Sequence, residues 1–205
     1  MDKINNVSAE AVQKATGKNW DEWLTIIDKT GGEQLSHKEI VTFLGGNYDI
    51  SPWWQQRITV GYEFARGRRV TGQTSDAGFQ IGAQKTVAVS KEKVWDFLLS
   101  KKGLPIWLGK IDNMIFKKGT QYLTEDGIKG EIRSILDFQK IRLIYKPKND
   151  NKDTTLQISL SCPRNTRLKT NIRFHHEELS GTKQRDKMRR HWKKVLDTIK
   201  KEIEK

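Results

Sequence analysis

Residues 183–204 read KQRDKMRRHWKKVLDTIKKEIE, and their periodicity decides the fold class. Met188, Trp192, Val195, Leu196, Ile199 and Ile203 recur at spacings of three and four with charged residues between them. That places every apolar side chain on one stripe of a helix of about six turns. Such a stripe must be buried against a second layer, and the preceding segments supply it. TRLKTNIRFHHEEL at 166–179 alternates, with Leu168, Ile172 and Phe174 predicted on one face of a strand over 166–175 and Arg167, Lys169, Arg173 and His175 on the other. Further strands are expected near 121–124, 128–136, 140–146 and 154–161, and an opening strand from Phe79 to Val89. Ser90 caps a helix carrying Val94, Trp95, Phe97 and Leu98, followed by a short helical turn over 103–109 that Pro105 is expected to interrupt. A strand, two helical segments, a run of antiparallel strands and a long helix make an α+β helix-grip, the sheet wrapped around the C-terminal helix with an apolar pocket between them.

Outward from this core, towards the N-terminus, the period changes to that of a small all-α module. Ser8, Asn19 with Glu22, Ser36 with Glu39, and Ser51 before Pro52 are four helix starts. Gly31, Gly45 and Gly67 are expected to stop helices. The domain division expected is a helical module over 1–70, a polar linker over 71–78, and the helix-grip domain over 79–205. Trp53 and Trp54 are neighbours on a helix, about 100° apart, so they cannot both face the module's core.

The formal charge is +13, and it is lopsided: residues 1–77 hold 9 Lys/Arg against 10 Asp/Glu, and the remainder 29 against 15. The excess points to acidic partners of the second domain. Cys162 stands alone, which fits a reducing, cytoplasmic setting and gives no cysteine cluster for zinc. No apolar run approaches the roughly 18 residues of a membrane helix.

Residues 79–204 resemble the SRPBCC superfamily, related in shape to START lipid-binding domains, and within it the branch of activator of heat-shock-protein-90 ATPase homologues. The resemblance rests on TVAVSKEKVWDFL (86–98), GIKGEIRSI (127–135), TTLQISLS (154–161), the strand at 166–179, and MRRHWKKVLDTIKKEIE (188–204). ATGKNWDEW (15–23), SHKEIV (36–41), SPWWQQRITVGYE (51–63) and GQT (72–74) resemble a small helical domain of unknown function in bacterial proteins. The resemblance implies the helix-grip fold, a pocket, and a co-chaperone role or, elsewhere in the superfamily, cyclase or hydrolase chemistry.

The residues themselves show no catalytic set: no GxSxG, P-loop, HExxH or dinucleotide fingerprint occurs. No cofactor and no metal site is therefore expected. His175, His176 and Glu177 are the one tempting group, but adjacent strand residues face opposite ways, so at most one histidine meets the pocket. His176 and Glu177 are read as bracing the strand against the helix, or as proton-transferring groups if the protein is an enzyme. Strand alternation and the helix stripe nominate Trp95, Trp107, Ile132, Tyr145, Leu160, Ile172 and Trp192 as pocket lining. The leading expectation is a noncatalytic binder of a small apolar or amphipathic ligand or of an acidic protein surface, with the sheet's outer face basic and open to partners. Nucleic-acid binding through the basic C-terminal face is a further alternative that the charge-neutral helical module does not favour.

Overall fold

The computed structural model describes residues 1–74, 77–163, 166 and 168–205. The chain forms two compact units, Met1–Ser75 and Asp76–Lys205.

The first unit opens with a hairpin of β1 (Lys3–Ile4) and β2 (Val7–Ser8), turned by Asn5 and Asn6 at φ of 43° and 65°, positions that asparagine tolerates better than most residues. Four helices follow, α1 (Ala9–Thr16), α2 (Trp20–Lys29), α3 (His37–Asn47) and α4 (Pro52–Ala65). Each begins as its sequence dictates. The side chains of Ser8, Asn19, Ser36 and Ser51 accept from the backbone N–H three residues on, and Glu22 and Glu39 close reciprocal boxes on α2 and α3. These caps satisfy donors that a helix end otherwise leaves without partners. Trp20, Trp23, Ile27, Ile40, Leu44, Ile58 and Tyr62 fill the core. Gly61 has no Cβ because the Trp20 ring lies 2.4 Å from where one would sit. Trp53 is 59% exposed while Trp54 packs against this core.

Gly31 and Gly67 lie just beyond α2 and α4 at φ of 75° and 68°, but Gly45 does not stop α3, which runs on to Asn47. The Gln55 side chain lies 3.1 Å from where a Gly45 Cβ would be and donates to the Ile50 carbonyl at 2.9 Å. Gly45 is thus a site of close approach within the helix rather than its end.

The second unit runs β3 (Phe79–Val87), α5 (Lys91–Leu99), α6 (Leu104–Trp107), β4 (Gln121–Leu123), β5 (Lys129–Leu136), β6 (Lys140–Tyr145), β7 (Thr154–Ser161), β8 (Thr170–Leu179) and α7 (Thr182–Ile203). The six strands form one antiparallel sheet in the order β3-β8-β7-β6-β5-β4. Its inner face carries Ile81, Ala83, Ile132, Ile141, Leu143, Leu156, Ile158, Ile172 and Phe174, and it shares one core with the buried stripe of α7, Met188, Trp192, Val195, Leu196, Ile199 and Ile203. This is the helix-grip that the periodicity predicts. Pro105 sits in the first turn of α6 and starts that helix rather than interrupting it, as a residue without an N–H can.

β8 departs from its expected span. It begins at Thr170, paired with Val87 at the end of β3, and Leu168 lies outside it, 76% exposed; Arg167 lies outside the described residues. Alternation cannot tell 168 from 170 as a first inward residue, whereas the ladder starts only where β3 offers a partner. At its other end β8 runs on to Leu179, past a bulge at which Glu178 takes φ of 66°. The extra residue lets both His176 and Leu179 face inward although they are three apart.

Candidate functional site

All seven residues nominated as pocket lining are buried in one contiguous core. The centre is aromatic: Trp192 stacks on Phe174 with centroids 4.9 Å apart and meets Tyr145 edge-on at 5.5 Å, and Trp107 meets Phe174 at 6.5 Å. Trp95 lies at the periphery, 5.8 Å from Phe138 at the tip of the β5–β6 hairpin.

His176 is the polar member of this core, 1% exposed. Trp192 Nε1 donates to its Nδ1 at 3.0 Å, and its Nε2 lies 2.8 Å from Thr154 Oγ1. An indole N–H can only donate, so Nδ1 is the acceptor and Nε2 carries the proton. Nε2–H then donates to Thr154, whose hydroxyl donates to the Tyr145 carbonyl. The chain runs from Trp192 on α7 through β8 and β7 to β6 and ends on a backbone oxygen. Burial, followed by the charges of His191 and His175, lowers the His176 pKa to about 3, so the ring is neutral at physiological pH. Burial also pushes the Tyr145 phenol up to about 12, with Asp150 and Asp126 adding to it, and raises the Tyr122 phenol; neither ionises near neutrality.

Glu177 faces the other side of the sheet. There it binds Arg142 at 2.7 Å and His175 Nδ1 at 3.1 Å. Beside it Arg142 also reaches Gln157 at 3.4 Å, Thr155 donates to Glu178 at 2.7 Å, Lys146 pairs with Asp153 at 3.2 Å, and Arg133 with Glu131 at 2.9 Å. On the outer face Arg142, Lys146 and Arg133 are matched by neighbouring carboxylates, while Arg173 donates to the neutral Gln84 Oε1 at 3.2 Å and Lys169 is exposed. Period-two reading shows which residues share a face but not which carboxylates stand beside them.

Two open concavities among the described residues lie on β4, β5 and β6 and the segments beside them. One, of about 640 Å³, is walled by Gln121, Leu123, Lys129, Glu131, Ile144 and Lys146 together with Tyr122, Gly130 and Asp153. A second, of about 540 Å³, shares Ile144, Lys146 and Asp153 with it and extends to Arg133, Thr155 and Glu178. Neither includes any of the seven nominated residues. The first is shaped by Gly130: a Cβ there would stand 1.9 Å from the Ile144 carbonyl oxygen and 2.8 Å from the Tyr122 hydroxyl, which itself donates to that carbonyl at 2.6 Å. Gly130→Ala forces backbone to move, and we expect it to lower the unfolding free energy by about 1–3 kcal/mol. Urea unfolding measures the loss, and hydrogen exchange localises it to β4 and the start of β5; unchanged protection there refutes the prediction.

Among the described residues, no helix is long and apolar enough to cross a membrane. Among curated proteins, none matches the sequence. Two of the solved structures that match share the fold. An Hsp90 activator from Plasmodium falciparum has 17% identity over 60% of this chain and 94% of its own, with a TM-score of 0.51. CalU16 from Micromonospora echinospora has 14% identity over 62% of this chain and 77% of its own, also with a TM-score of 0.51. At such identities the likeness concerns fold alone. Residues 88–204, from the end of β3 through the sheet to α7, match the family model described as activator of Hsp90 ATPase homolog 1-like protein, and the chain belongs to that family.

Proposed function

We propose that this is a noncatalytic binding protein of the cytoplasm, and that what it binds is another protein, met on the surface of the α+β unit. The observation that carries this reading is the hydrogen-bond chain through His176. Its two nitrogens are committed to Trp192 and Thr154, so no lone pair is left to take a substrate proton, and general acid–base work needs a group within reach of the proton it moves. The aromatic packing around it supports the same conclusion for a small ligand: to enter between sheet and helix it would have to part Trp192 from Phe174 and Tyr145.

The family description and the Plasmodium relative both name Hsp90 activation, so the Hsp90-type chaperone of the host cell is the first partner to test. Two measurements decide. Native mass spectrometry of the protein purified from its host should give the bare chain mass, and addition of the chaperone should give a complex detectable by calorimetry and a change in its ATPase rate. A lipid or aromatic metabolite released on denaturation would overturn the protein-docking reading in favour of a ligand carrier. Turnover of such a molecule, abolished by His176→Gln, would overturn the noncatalytic one.

A further inference from the structure

α7 carries nine Lys/Arg against three Asp/Glu. Its acidic residues and the Glu204 that caps it are all engaged: Asp186 with Arg185, Asp197 with Lys85, Glu202 with Lys102 and Lys205, and Glu204 with Lys200 and the Ala88 N–H. Lys85, Lys102 and Ala88 belong to β3 and the segments that follow it, so three of these carboxylates staple the helix to the body of its own unit. Lys183, Lys187, Arg190, Lys194 and Lys201 are left on the line opposite the buried stripe, at about 100° per residue. All but Lys201 fall within three turns, and all five are exposed. Among the described residues none of the five is in an ion pair, although Arg190 contributes to the field at Asp186. The helix thus sets like charges one turn apart, Lys183 beside Lys187 and Arg190 beside Lys194, an arrangement that disfavours a helix and that external negative charge relieves; Asp186, one turn from Arg190, and Asp197, one turn from Lys194 and Lys201, offset part of it.

We propose that this ridge is the docking surface for an acidic helical segment of the protein partner; the inference rests on the protein-binding reading above and names the chemistry of what is bound. The ridge spans about 27 Å and is straight. A second helix with carboxylates at spacings of three and four residues keeps register with it along its whole length, whereas a duplex phosphate backbone winds away from a straight line. A membrane surface is a poorer fit because an interfacial helix must offer an apolar face to the bilayer, and the apolar stripe of α7 is buried against the sheet. Charge complementarity of this kind acts chiefly on the rate and selectivity of encounter, which suits a partner that binds and leaves.

The test uses the full chain and a fluorescein-labelled Ala/Glu peptide of about 20 residues, the span of the ridge, with glutamates at alternating spacings of three and four. Anisotropy should show saturable binding that weakens as salt rises, and amide shift changes should cluster on residues 183–201. The triple variant Lys187→Glu, Arg190→Glu, Lys194→Glu should bind about tenfold or more weakly, with an unchanged thermal midpoint, while Lys187→Arg, Arg190→Lys, Lys194→Arg should retain binding. If charge reversal lowers the midpoint, the triple glutamine variant takes its place with the same expectation. Equal binding by wild type and variant, no binding at low salt, or tighter binding of a duplex DNA of matched charge would each overturn the proposal, the last by assigning the ridge to phosphate. A chaperone complex that forms normally with the triple variant would sink the ridge and leave the protein-binding reading standing. Peptide binding without any chaperone complex would do the reverse for the chaperone as partner.

Discussion

Trp192→Ala should lower the unfolding free energy by about 3–5 kcal/mol, the range for removing a large buried aromatic, and is expected to be the most damaging single truncation in the second unit. Trp192 is completely buried, stacks on Phe174 and touches Tyr145, so the cavity opens where α7 meets the middle of the sheet. The substitution also removes the donor to His176 Nδ1 and leaves a buried acceptor without a partner, an additional cost of about 1–3 kcal/mol where no water enters. Trp192→Phe separates the two contributions, since it keeps most of the ring volume and loses the N–H. Chemical denaturation of the three proteins, with unchanged slope, gives the values. A loss below about 1 kcal/mol for the alanine variant would mean that the helix is not held at this point.

The second large effect is acid sensitivity arising from the same ring. His176 titrates at about 3 when folded, against 6.5 for an ordinary histidine. As pH falls below 6.5 the unfolded chain takes up a proton that the folded chain refuses, so the contribution is fully present above about 6.5 and is lost progressively towards 3. The slope is about 1.4 kcal/mol per pH unit within that window. The geometry gives the cause: a proton on Nδ1 would set two donors against each other, the imidazolium N–H and the Trp192 indole N–H, in a site that water does not reach. His176→Gln should be less stable than wild type at pH 7 but should lose less stability between pH 6.5 and 4.5. Because the exposed carboxylates titrate alike in both proteins, the difference between the two pH profiles isolates the ring. Parallel profiles would show that His176 is protonated in the folded state and that the proton order along the Trp192–His176–Thr154 chain is wrong.

The same residues mark how far a linear reading reaches. Helix starts were legible because a cap acts within four residues: Ser8, Asn19, Ser36 and Ser51 each bond to a backbone group three positions on, and no distant contact is involved. The stripe of α7 was legible for a similar reason, since burial of one helix face is written at a fixed period. The end of α3 was not, because Gly45 is used for the approach of Gln55 from α4 rather than for a turn. Nor was the register of β8, where Thr170 rather than residue 166 begins the ladder because Val87 is the last residue of β3 able to pair with it.

For the candidate site, spacing alone separated His175 from His176 as facing opposite ways. Alternation also set His175 on the polar face with Arg173, which turns His176 inward, but it did not reach past the bulge at Glu178, where the pattern shifts. That Nδ1 of His176 accepts from Trp192, sixteen residues away, required helix and strand to be packed. The basic excess is a further case. Counting charges located it in the second part of the chain, but which cations are paired depends on residues far apart in sequence: Arg142 finds Glu177 and Lys85 finds Asp197 across the fold, whereas the five cations of the α7 ridge are in no ion pair among the described residues. Local capping and periodic burial depend on short separations and are therefore written in order along the chain. Register, proton order and charge pairing depend on distances that come into being only when strands and helix close on one another.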